Sequence, residues 1–87
     1  MRLSEKQKDR LRAEILETCK SGKSMEALTQ AVSNRDYDLV REMARALATA
    51  GLLVTTGKTQ GTIYRTTKLG REMIPAFRNR KYPGRQS

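Results

Sequence analysis

Eighty-seven residues, 18 of them basic and 9 acidic for a net charge of +9, allow one small domain and predict an anionic partner: nucleic acid, a membrane surface or an acidic protein. No apolar run approaches the roughly 18 residues that span a bilayer, and no apolar leader follows Met1, so a cytoplasmic protein without a membrane partner is expected. With no histidine and one cysteine, the chain lacks an ordinary general base, a nucleophile pair and a zinc cluster, so no enzyme, metal or cofactor is expected.

In chain order, Ser4 and Gln7 form a capping box that opens a first helix. Leu11, Ile15, Leu16 and Cys19 are its apolar stripe, which makes Cys19 a small buried hydrophobe and not a nucleophile. Lys6, Lys8, Arg10 and Arg12, interleaved with Glu5, Asp9 and Glu14, read as a solvated face. A dimer surface along Leu3, Leu11 and Leu16 is the alternative. Ser21-Gly22-Lys23-Ser24 echoes the end of a phosphate-binding loop. The earlier glycine position holds Glu17 and a helix precedes the motif, so that echo is rejected.

Ser24 caps a second helix with Met25, Leu28, Ala31 and Val32 inward. Ser33-Asn34-Arg35 is a connection without an apolar residue, so two amphipathic helices meet across three residues as a helix-turn-helix unit. The third helix is expected over 36–50, with Ser33 and Asp36 as a weak capping box at its start. Leu39, Val40, Met43, Leu47 and Ala50 form its apolar face, and Asp38, Arg41, Glu42 and Arg45 its polar face. Gly51 ends it.

The period then falls from 3.6 to 2. LLVTT and TIYRTT are two strands joined by GKTQG, whose glycines supply turn conformations. Thr67 is positioned to cap a fourth helix, with Leu69, Met73 and Ile74 inward and Ala76 and Phe77 able to dock. Gly70 weakens it by about 1 kcal/mol and Pro75 ends or kinks it. Residues 78–87 are polar, basic and broken by Pro83-Gly84, so a flexible tail is expected beyond a domain of residues 1–77. The fold class is mainly α with a small β-hairpin, in the order helix-helix-helix-strand-strand-helix.

Charge is distributed unevenly. Residues 1–54 carry ten basic and eight acidic groups, whereas residues 55–87 carry eight basic groups and only Glu72. The positive field therefore belongs to the hairpin, the fourth helix and the tail.

Three segments together resemble the winged helix-turn-helix domains of bacterial MarR-like and ArsR-like regulators: ILETCKSGKSMEALTQAV, DLVREMARALATAGLL, and TIYRTTKLGREM with its T-x-x-G-R-E helix start. The match covers about two thirds of the chain. Thr29 stands where the family usually has alanine, and Ser33 or Asn34 where it has glycine. No ligand-sensing domain is attached, so no small-molecule effector is expected. Stand-alone domains of this size are common as phage- or plasmid-encoded regulators.

The resemblance implies a sequence-specific double-stranded DNA-binding protein, a transcriptional regulator acting by repression as a homodimer and nucleoid-associated when bound. It places the third helix in the major groove, so Asn34, Arg35, Tyr37, Asp38, Arg41 and Arg45 are the candidates for base readout. Arginine suits guanine O6 and N7, asparagine suits adenine, and aspartate accepts from cytosine N4. Asp38 paired with Arg41 in a merely solvated face is the alternative. Lys58, Thr59 and Gln60 at the hairpin tip, then Arg65, Lys68 and Arg71, are the candidates for phosphate contact. Arg78, Arg80, Lys81 and Arg85 give the tail its charge. The rival function is a winged-helix adaptor for a protein partner or structured RNA, of a ribosome-associated or phage-encoded inhibitory kind; the near-neutral third helix keeps it open.

Overall fold

The computed structural model describes residues 3–34, 36–57 and 61–79. Helix α1 spans Glu5–Thr18 and tightens into a 3-10 turn at Cys19–Ser21. Strand β1 is Lys23–Ser24, α2 is Met25–Ala31 and α3 is Tyr37–Thr49. Strands β2 (Leu53–Thr56) and β3 (Ile63–Thr66) follow, and α4 is Lys68–Asn79. The protein is mainly helical with one three-stranded antiparallel sheet in the order β1-β3-β2.

The expected hairpin is present, in the register Leu53↔Thr66 to Thr56↔Ile63. Strand β1 is the element the expected order lacked. Two residues have no legible period, and Lys23 and Ser24 become a strand only because β3 pairs with them (Lys23↔Tyr64, Ser24↔Ile63). The capping signals for the first two helices hold. Ser4 and Gln7 exchange both capping-box bonds, and Ser24 accepts from the Ala27 N–H. At α3, Asp36 alone is the cap and accepts from the Leu39 N–H; Ser33 bonds elsewhere. Among the described residues only glycines have positive φ. The described part of the α2–α3 turn thus needs no left-handed residue, and glycine is not required at Ser33 or Asn34.

Helix α3 ends as predicted. Gly51 has φ 86°, the Leu52 N–H donates to the Leu47 carbonyl and the Gly51 N–H to the Ala48 carbonyl. These are the paired bonds of a Schellman ending, and Leu47 and Leu52, the positions of its apolar contact, are both buried in the core. Val40, Met43 and Leu47 are buried as expected, but Ala44 completes the stripe and Ala50, at the cap, is exposed.

One core joins Leu11, Ile15 and Leu16 of α1 to Leu28, Val40, Leu47, Leu53, Tyr64 and Ile74. Leu11 and Leu16 are 4% and 0% exposed, so an α1 dimer surface through them is ruled out. The solvated reading of α1 also fails in part. Asp9 is buried and ion-paired with Arg12, whose guanidinium lies 5.9 Å from the centre of the Phe77 ring.

The junction into α4 explains the threonines and glycine of TTKLG. The Thr66 hydroxyl donates to the Leu16 carbonyl across the core. Thr67 donates its hydroxyl to the Gly51 carbonyl (2.8 Å), accepts from the Gly70 N–H (3.0 Å) and donates its own N–H to Leu52 (3.0 Å). Gly70 is buried, and a Cβ there would lie 2.2 Å from the Leu52 oxygen. Its absence of a side chain is what lets α4 start against the end of α3, so the simple propensity penalty is the lesser effect.

Two expectations for α4 are corrected. Leu69 is 50% exposed, since Gly70 and Ile74 are the positions that face inward. Of the two outcomes expected at Pro75, an end or a kink, the end does not occur, since the helix runs to Asn79. The proline lies on the exposed side, while Ile74, Phe77 and an Arg78–Glu17 ion pair hold the segment to α1. Arg78 is therefore helical, and the folded part reaches beyond residue 77.

Candidate nucleic-acid interface

The amphipathic period of α3 sends Tyr37, Asp38, Arg41, Glu42 and Arg45 to the outside, and all five are exposed. Tyr37 is 47% exposed, high for a large aromatic residue. Arg41 and Arg45 lie one turn apart, so their guanidinium groups share a face. Neither forms an ion pair with Asp38 or Glu42, and the described ion pairs lie elsewhere, at Glu5–Lys8, Asp9–Arg12 and Glu17–Arg78.

This face borders a groove of about 460 Å³. Helix α3 contributes Tyr37, Arg41 and Arg45. The entry to α2 contributes Ser24, Met25 and Glu26, and the approach to β3 contributes Gly61, Thr62 and Tyr64. The β1–β3 pairing is what closes this wall, because it ties the ribbon to the start of α2. A smaller depression of about 230 Å³ lies among Asp38, Arg41, Glu42 and Arg45, so the two arginines border both.

The other sequence candidates divide. Asn34 spends its side-chain oxygen on the Asp36 N–H at 2.8 Å, inside the turn. The bidentate grip on adenine that its residue type suggests needs that oxygen as an acceptor, so the turn competes with it. Arg65 alternates with Tyr64 along β3 and so projects from the opposite sheet face. There it lies over Gly22, where a Cβ would stand 3.1 Å from the guanidinium. Lys68 and Arg71 are exposed in the first turn of α4 and do not line the groove. Arg78 is engaged with Glu17. Arg35, Lys58, Thr59, Gln60, Arg80, Lys81 and Arg85 lie outside the described residues.

Sequence reasoning missed Glu26, Thr62 and Tyr64 as groove residues. The first two belong to positions whose neighbours across the groove are fixed only by tertiary packing. Tyr64 lay in a legible strand, TIYRTT, whose inward face the sequence did not assign.

Burial raises the Cys19 thiol to about 11, against a smaller downward pull from Lys23. The thiol stays protonated at neutral pH, as a packing residue does. Among the described residues no group of three His, Cys, Asp or Glu side chains could hold a metal ion, and no helix is long and apolar enough to cross a membrane. Compared with family models, curated proteins and solved structures, the chain matches none.

Proposed function

We propose that this chain is a winged helix-turn-helix protein that binds double-stranded DNA in a sequence-specific manner, and that it regulates transcription as a repressor occupying a promoter. The observation that carries the proposal is the row of Arg41 and Arg45 on α3, exposed, free of ion pairs with their helical neighbours and bordering an open groove. Apart from the two-residue strand β1, the helices and the ribbon follow one another in the order that the resemblance implies, which supports the reading.

In this reading α3 enters the major groove. Arg41 and Arg45 donate to guanine O6 and N7, Asp38 accepts from a cytosine amino group, and Tyr37 lays its ring against base edges or a thymine methyl. Lys68 and Arg71 supply sequence-independent phosphate contacts with the basic hairpin tip and tail. Arg65, on the far sheet face, reaches a phosphate only if the duplex extends around the ribbon. The protein acts as a homodimer on a palindromic site whose half-sites lie about 10 base pairs or a multiple apart.

A second reading, an adaptor for a protein partner, draws on Glu26. Its carboxylate borders the same groove as the two arginines and gives that wall mixed charge, which suits a protein surface better than a row of phosphates. A gel shift on random duplexes with selection and sequencing separates the two. A palindromic motif supports the regulator, and a pool with nothing enriched supports the adaptor.

A further inference from the structure

We infer that Glu14 is a positioning residue for α3, acting from α1 through Ser33. Its carboxylate accepts the Ser33 N–H at 2.8 Å on one oxygen and the Ser33 hydroxyl at 3.0 Å on the other. Both donors come from one residue, 19 positions away, at the turn between α2 and α3. Charge-assisted bonds of this kind are about twice as strong as neutral ones, and two together fix direction as well as distance.

The clamp is the first link of a series. Asn34 takes the Asp36 N–H at 2.8 Å, and Asp36 takes the Leu39 N–H at 3.1 Å. Glu14 is itself fixed, since Ala13, Ile15 and Leu16 around it are 1%, 0% and 0% exposed. The first turn of α3, with Tyr37 and Asp38, is thus referenced to the most deeply buried part of α1. Val40 anchors this end of α3 in the core, while Tyr37 and Asp38 before it are exposed and Leu39 is only partly buried, so the hydrogen bonds add direction where packing holds one side alone. The consequence for DNA rests on the proposed function: where α3 reads bases, Glu14 sets the angle at which it reads them while touching no base.

The test uses the full chain with Glu14→Ala, Glu14→Gln and Ser33→Ala. The first readout is amide hydrogen exchange by NMR. In Glu14→Ala, the Ser33, Asp36 and Leu39 amides exchange about tenfold faster, the factor of one net hydrogen bond, while Ile15 and Ile74 amides change far less. Glu14→Gln restores most of the protection, because an amide accepts from the N–H and donates to the hydroxyl oxygen. The second readout is the affinity ratio between a duplex selected by the wild type and its scrambled form, at matched fraction folded. It falls about tenfold in Glu14→Ala with the salt slope unchanged. Should Glu14→Ala fail to fold, Glu14→Gln and Ser33→Ala carry the comparison, with Ser33→Ala losing part of the protection. Wild-type exchange at Ser33, Asp36 and Leu39 in both Glu14→Ala and Ser33→Ala, or equal losses on both duplexes, overturns the inference. A wild type that selects no duplex refutes DNA binding instead, and the exchange data still decide whether Glu14 holds the start of α3.

Discussion

Gly70→Ala puts the packing account under strain because two effects oppose each other. In an isolated helix alanine is favoured over glycine by about 1 kcal/mol. Here the new methyl would sit 2.2 Å from the Leu52 carbonyl oxygen and 2.7 Å from the Thr66 Cγ2. The oxygen belongs to the backbone that follows α3, so it cannot rotate away as a side-chain tip would. Restoring even the 3.4 Å at which ordinary contact begins moves α4 away from Leu52 by about 1 Å. That movement stretches the Thr67 N–H bond to Leu52 and the Thr67 hydroxyl bond to Gly51 together. Overpacking of ~2 kcal/mol and two weakened bonds of ~1 kcal/mol each outweigh the propensity gain. The expected net loss is about 2–3 kcal/mol, a fall of roughly 10–20 °C in midpoint for a domain of this size. Urea and thermal melts by circular dichroism measure it, with Glu72→Ala, exposed on the same helix, as a near-neutral control. A Gly70→Ala protein as stable as the wild type would show that α4 does not press on Leu52, and the account of the TTKLG junction would fail.

Leu47→Ala empties a site 4% exposed beneath the Schellman ending, and a loss of about 2–5 kcal/mol is expected in the same melts; an unchanged midpoint contradicts the assigned core face. Cys19, with its thiol raised to about 11, should resist iodoacetamide at pH 8 in the folded protein and react readily in urea. The same shift has a pH consequence. The unfolded thiol ionises near 9.0 and the folded one near 11, so this stability is complete below pH 9 and is lost as pH rises from 9 to 11; a Cys19→Ala protein should lack that part of the alkaline decline. Removing residues 80–87 takes away Arg80, Lys81 and Arg85, which should flatten the log–log salt slope of duplex binding by up to ~0.9 for each engaged cation, with sequence preference unchanged. Equal slopes for intact and truncated protein would show that the tail does not touch DNA.

The elements legible in the sequence were those whose signals are local. Ser4, Ser24 and Thr67 cap the helices they precede, Gly51 closes α3, and the alternation in TIYRTT is a strand. What sequence reading missed depends on distant partners. Lys23 and Ser24 are a strand only beside Ile63 and Tyr64. Asp9 and Glu14 look like surface charges until Arg12 and Ser33 are seen to take them. Leu69 fits the periodic pattern, yet the close approach at Gly70 turns a different side of α4 inward. The candidate site divides along the same line. The exposed face of α3 follows from its period, so Tyr37, Asp38, Arg41 and Arg45 were legible. Glu26 and Thr62 join them only through tertiary packing, and the strand alternation that sends Arg65 to the far side matters only once Tyr64 is known to face the core.

The claim that α3 reads DNA is tested most directly by selecting duplexes with the wild type and with Arg41→Ala in parallel. The wild type should enrich a palindromic motif. Arg41→Ala should keep the fold, lose about 1–3 kcal/mol on that motif and relax preference at one position in each half-site. An Arg41→Ala protein that selects the same motif with the same preferences, or a wild type that enriches none, contradicts it.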